Sequence, residues 1–214
     1  MSAQPVDQMA NSVQPVSAWN IANVLTVLRL LLVPVFAVLL LHDDGRSDAW
    51  RLAALLTFLG ASITDSVDGE LARRRGLITD FGKIADPIAD KALMGAALLG
   101  LSALGELPWA VTLVILCREI GVTLLRFWVI RHGVIPASRG GKLKTFLQML
   151  AICLYILPLS GVLATLAALV MGLAVLVTVV TGVDYVVRAV RLRRSSERTA
   201  LKRARRAAQK DESA

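Results

Sequence analysis

Cysteine is scarce in this chain, with only Cys117 and Cys153 among 214 residues, both inside apolar stretches and without paired C-x-x-C spacing. A disulfide scaffold and a cysteine-based zinc centre are thereby excluded, and the two thiols read as small packing residues. Aromatic residues make up only 5% of the chain, and none interleaves with the bases near the C-terminus. That removes the stacking platform a nucleic-acid binder needs, so no nucleic acid is expected as a partner. Residues 1–18 lack Lys and Arg, so the basic start of a cleaved signal peptide is missing. Acids are absent between Glu119 and Asp184, which argues against an ion path lined with carboxylates through the bilayer.

What is present is apolar. Hydrophobic residues account for 56% of the chain, and the mean hydropathy is +0.64. The apolar runs show little polar face of helical period, which sets them apart from the helices of a soluble bundle. At about 20 residues per crossing, the chain has room for about six crossings. The pattern predicts an all-α, polytopic membrane protein with six transmembrane helices, over about 24–41, 50–71, 82–104, 110–130, 143–157 and 162–187. Pro34 predicts a kink in the first helix. Residues 1–18, polar and carrying Pro5 and Pro15, read as a disordered N-terminal tail, and Trp19 as an interfacial anchor.

The formal net charge is +8, and the bases are unevenly placed. Between Arg188 and Lys210 stand ten Lys or Arg against one acid, Glu197. The connections after the second and fourth helices are basic too, whereas those after the third and fifth carry no base. Basic loops stay in the cytoplasm. Both termini and the second-to-third connection are therefore expected on the cytoplasmic side of the cell membrane, with residues 191–214 as a basic tail facing anionic lipid.

Set into this apolar background is the string Asp65-x2-Asp68-Gly69-x2-Ala72-Arg73-x8-Gly82-x3-Asp86-x3-Asp90. An ionised side chain at membrane depth costs about 2.5–3.5 kcal/mol on insertion scales, so four together imply a task. Positions three or four apart share a helix face, which pairs Asp65 with Asp68 and Asp86 with Asp90. An antiparallel pair of helices joined by a short loop would bring both faces together. Converging carboxylates repel unless cations lie between them, and hard oxygen ligands suit Mg²⁺, Mn²⁺ or Ca²⁺ rather than zinc. Four are enough to hold two cations in the arrangement that clamps a phosphoryl displacement. Gly69, Ala72 and Gly82 read either as close helix packing or as room for a ligand against backbone. Arg73 reads as a phosphate ligand or a topogenic charge.

From Asp65 to Asp90 the string resembles the signature of the CDP-alcohol phosphatidyltransferases at every fixed position. The resemblance implies a membrane domain over residues 19–190, two divalent cations (Mg²⁺ or Mn²⁺), and transfer of a phosphatidyl group from a CDP-lipid to an alcohol with release of CMP. It implies that Asp65, Asp68, Asp86 and Asp90 hold the metals and that Asp90 is the general base. It places Gly69, Arg73, Thr79 and Gly82 against the CDP portion, and it implies a homodimer.

Two flanking stretches are similar to the branch of that family whose acceptor is sn-glycerol 3-phosphate. They are Asn20-Ile21-Ala22-Asn23-Val24-Leu25-Thr26-x2-Arg29, with Ala22 where the branch has proline, and Gly141-Lys142-x-Lys144-Thr145-x2-Gln148; Arg118-Glu119-Ile120 is similar too. A phosphorylated acceptor needs cations near the metals, and Arg118, Lys142 and Lys144 are the candidates. Arg118 reads as an unpaired base, because adjacent helical residues diverge and Glu119 points elsewhere. Lys142 and Lys144 read equally as topogenic charges. On this reading the substrates are CDP-diacylglycerol and glycerol 3-phosphate. Inositol phosphate and phosphatidylglycerol remain alternative acceptors, and a cation transporter or channel is the alternative of a different class.

Overall fold

The computed structural model describes residues 21–75, 80–129 and 139–212, all of them helical apart from short turns. The helices are α1 (Ile21–Leu41), α2 (Asp48–Arg75), α3 (Asp80–Ala103), α4 (Trp109–Val129), α5 (Arg139–Ile156) and α6 (Gly161–Glu212). These six match the six apolar runs of the sequence. A 3-10 turn, His42–Gly45, follows α1. Pro34 lies inside α1, which continues through it as one helix. The predicted N-terminal tail and Trp19 lie outside the described residues.

In α1 the usual arrangement of a soluble helix is reversed. Its buried face carries Asn23, Thr26 and Arg29 before it turns to Phe36 and Leu40, while Val24, Val27, Leu28, Leu31, Val35 and Val38 are exposed. A helix in water hides its apolar stripe and shows its polar one. Polar groups inside and valine and leucine outside suit a lipid surround, where an unmatched polar group costs several kcal/mol. Along α6 the same outward display continues with Val162, Leu166, Leu169, Leu173 and Leu176. Among the described residues, two stretches are long and apolar enough to cross a membrane, Asn23–Gly45 and Gly161–Arg193. At about 1.5 Å per residue, the 52 residues of α6 far outrun a hydrocarbon layer of about 30 Å. Arg193 closes the apolar part of α6, with its guanidinium 4.5 Å from the ring centre of Trp128 at the end of α4.

Packing organises the helices around α1, which lies against both α2 and α3, while α6 lies against α4 and α5. The shared core includes Phe36 and Leu40 of α1, Phe58 of α2, Leu98 and Leu101 of α3, and Ile152 of α5. Cys153 packs against this core, and both cysteines are free thiols. At the far end of α3, Gly105 takes a left-handed φ of 75°. The Glu106 amide then reaches the Leu101 carbonyl and the Gly105 amide the Ser102 carbonyl, which closes the helix in the Schellman pattern. This turn brings Glu106 to the buried Arg51 of α2, 2.6 Å away.

Phe36 and Phe58 meet at 5.6 Å between ring centres, and both are fully buried. Phe58→Ala should destabilise the protein by about 3–5 kcal/mol, read as a lowered thermal midpoint in detergent. An unchanged midpoint would contradict this core.

Candidate active site

The aspartate string is divided between two consecutive helices. Asp65, Asp68, Gly69 and Arg73 lie in the C-terminal half of α2, and Gly82, Asp86 and Asp90 in the N-terminal half of α3. Residues 76–79 connect them, and α2 packs against α3. The side chains of Asp65, Asp68 and Arg73, and Thr79 altogether, lie outside the described residues. Among the described residues, no three acidic, histidine or cysteine side chains form a cluster. The site is therefore seen through Asp86, Asp90 and their neighbours.

Asp86 and Asp90 stand one turn apart on α3, with Asp86 partly buried and Asp90 exposed. Pro87 follows Asp86 inside the helix, and its missing amide leaves the carbonyl of residue 83 without its usual helical donor. The Asp86 carboxylate accepts a hydrogen bond from the Thr26 hydroxyl of α1 at 2.5 Å. One turn further along, Asp90 borders a cavity of about 410 Å³ between α3, α4 and α5. Its polar lining includes Asp90, Lys91, Glu119, Lys144 and Gln148, and its apolar lining residues such as Met94, Ile115 and Ile152.

Lys144 and Gln148 face the cavity together because they are four apart on α5. Lys142, offset by two residues from Lys144, is exposed and is not part of the lining. Two lysines with the same sequence reading thus receive different places. Buried Lys144 bonds through Nζ to the Glu119 carboxylate of α4. Arg118 Nη1 reaches the same Glu119 oxygen at 3.0 Å, and Nη2 donates to the Thr181 hydroxyl of α6 at 3.1 Å. Gly182 leaves the room: a Cβ there would lie 3.0 Å from Arg118 Cγ.

The expectation that Arg118 is unpaired and that Glu119 points elsewhere is corrected by this geometry. Adjacent Cβ directions do diverge, yet both side chains are long and flexible enough to curl back along the helix. The cation of Lys144 draws the Glu119 carboxylate to a place where the guanidinium also reaches it. Thr26, Lys91, Glu119 and Gln148 were not singled out as site residues from the sequence. A signal existed for Thr26, which stands three residues from both Asn23 and Arg29 in an otherwise apolar run.

The sequence pattern of the CDP-alcohol phosphatidyltransferases matches residues 19–180. The chain belongs to this family. It is 59% identical over 172 residues to a probable phosphatidylglycerophosphate synthase of Mycobacterium tuberculosis, covering 80% of this chain and 82% of that one. It is 40% identical over 171 residues to a CDP-diacylglycerol–glycerol-3-phosphate 3-phosphatidyltransferase of Rickettsia typhi, covering 78% and 94%. The Bacillus subtilis protein of the same name is 38% identical over 180 residues, covering 78% and 93%. Family membership makes the protein a phosphatidyltransferase of a class that generally uses divalent metal ions. Together with the apolar helices it identifies a membrane protein.

Glu119 offsets the charge of Lys144, whose side chain is only 7% exposed. Glu119→Ala should leave that ammonium buried without its carboxylate and destabilise the phosphatidyltransferase by about 3 kcal/mol. Glu119→Ala combined with Lys144→Met should cost much less than the sum of the two single changes, because the two effects are coupled. Thermal unfolding of the two single variants and the double in detergent measures this, and purely additive losses would argue against the pair.

Proposed function

We propose that this phosphatidyltransferase moves the phosphatidyl group of CDP-diacylglycerol to sn-glycerol 3-phosphate, giving phosphatidylglycerophosphate and CMP. The observation that carries this reading is the sharing of one cavity by a carboxylate, Asp90, and a buried cation, Lys144. An acceptor with both a hydroxyl and a phosphate needs both groups. The activity carried in the names of the Rickettsia and Bacillus relatives supports the same acceptor.

In this reading Asp90 takes the proton of the acceptor's primary hydroxyl. The hydroxyl oxygen then bonds to the lipid-linked phosphorus, and the bond to CMP breaks. Lys144 has three donors, one of which is engaged by Glu119. The others are available to the acceptor phosphate, with Arg118 adding positive potential behind Glu119. Lys142, exposed at the start of α5, serves the approach of the anionic acceptor rather than its final seat. Gly69, Arg73, Thr79 and Gly82 contact the CDP portion.

Asp65, Asp68, Asp86 and Asp90 hold two divalent cations, Mg²⁺ or Mn²⁺. The donors fit these ions, since Asp86 and Asp90 present only hard carboxylate oxygens from one side of α3. When bound, the cations supply neutralisation of the diphosphate and of the departing CMP. All six helices cross the cell membrane, with both termini and the aspartates on the cytoplasmic side, as the basic connections favour. The catalytic domain spans 19–190 and acts as a homodimer, and 191–214 forms the basic cytoplasmic tail.

Purified protein with CDP-diacylglycerol and Mg²⁺ should release CMP rapidly on addition of glycerol 3-phosphate, and not with inositol phosphate or phosphatidylglycerol. Rapid release with inositol phosphate alone would move the acceptor to that sister reaction. Asp90→Asn should lower turnover by about 10²–10⁴-fold. Lys144→Met should raise the KM for glycerol 3-phosphate about tenfold or more, while the KM for CDP-diacylglycerol changes little. Equal effects on both would make Lys144 structural.

A further inference from the structure

We propose that Thr26 is a positioning residue of the metal site: its hydroxyl, donating to Asp86 Oδ1, sets the orientation in which Asp86 presents its oxygens to a divalent cation. The inference rests on the reading of Asp86 as a metal ligand.

Thr26 belongs to α1, a helix that supplies none of the four aspartates, and its partner is sixty residues away on α3. It is only 2% exposed, so it acts inside the α1–α3 contact and not at a water-filled rim. Other helical threonines of this chain, Thr57, Thr64 and Thr123, donate to the carbonyl one turn back, the ordinary local bond of this residue type. Thr26 reaches a carboxylate on another helix.

An aspartate carboxylate swings about two rotatable bonds. A donor fixed to a second helix removes much of that freedom and engages one oxygen, leaving the other for a cation. Metal-ligating carboxylates are commonly held in this way, and loss of the holding group costs about 10–100-fold in metal affinity or activity. The same bond also joins α1 to α3, so a merely structural role must be separated from positioning.

The separating measurement is Mn²⁺ binding to the full-length protein in detergent without substrate, followed by the electron paramagnetic resonance of the free ion. Wild type, Thr26→Val, Thr26→Ser and Asp86→Asn would be compared. Thr26→Val keeps the shape and loses the donor; it should weaken Mn²⁺ binding about tenfold or more. Thr26→Ser restores the hydroxyl and should bind close to wild type. In turnover, Thr26→Val should need more Mg²⁺ and regain much of kcat when saturated. If the valine variant does not fold, Thr26→Ala carries the same test. Unchanged Mn²⁺ affinity without the hydroxyl, alongside weakened binding in Asp86→Asn, would overturn the positioning role and leave Asp86 a ligand. Wild-type binding by Asp86→Asn, or no saturable binding by the wild type, would remove the metal reading and this inference with it.

Discussion

Carboxylates set among lipid-facing helices must find donors and cations inside the protein, because hydrocarbon offers neither. Much of this structure answers that requirement. Asp86 is met by Thr26 from α1, Glu119 by Arg118 beside it and Lys144 from α5, and Glu106 by Arg51 from α2. Each of these bonds except that of Arg118 to Glu119 also ties together two segments distant in sequence. Polar matching and helix assembly are thus one problem in this molecule, solved by the same residues.

The reversed faces of α1 follow from the same constraint. A buried stripe of Asn23, Thr26 and Arg29 would be wasteful in a soluble bundle, where water satisfies polar groups at no cost in packing. Against lipid it is the favourable arrangement, since the apolar residues already have a good solvent outside. The helix that looks most like a simple anchor therefore brings a polar face to α2 and α3, which carry the aspartates.

The polar cluster beside Asp90 is built from groups that each make more than one contact. Lys144 is held by Glu119 and still borders the cavity shared with Asp90. Arg118 is held by Glu119 and Thr181, with Gly182 making space, so the half-buried Glu119 carboxylate links α4 to α5 and Arg118 carries the link on to α6. A cluster assembled this way has little freedom to rearrange, because moving either cation uncovers the charge of the Glu119 carboxylate.

Much of this was legible in the chain itself. Apolar runs separated by Gly, Pro and charge mark the six helices, since a long apolar run bounded by helix breakers suffices to define a helix. The aspartate spacing places one pair on α2 and the other on α3, because helical period alone decides which residues share a face. The resemblance carried by the same string named the family. Three things were not legible: that Arg118 and Glu119 pair, that Lys144 turns inward while Lys142 does not, and that Thr26 reaches Asp86. Each depends on which faces of distant helices meet, and on how long side chains bend once a third group attracts them. Local sequence determined the helices and the chemical groups they carry; tertiary packing decided which groups meet, because even the adjacent Arg118 and Glu119 are oriented by partners on other helices, and the remaining contacts join residues far apart along the chain.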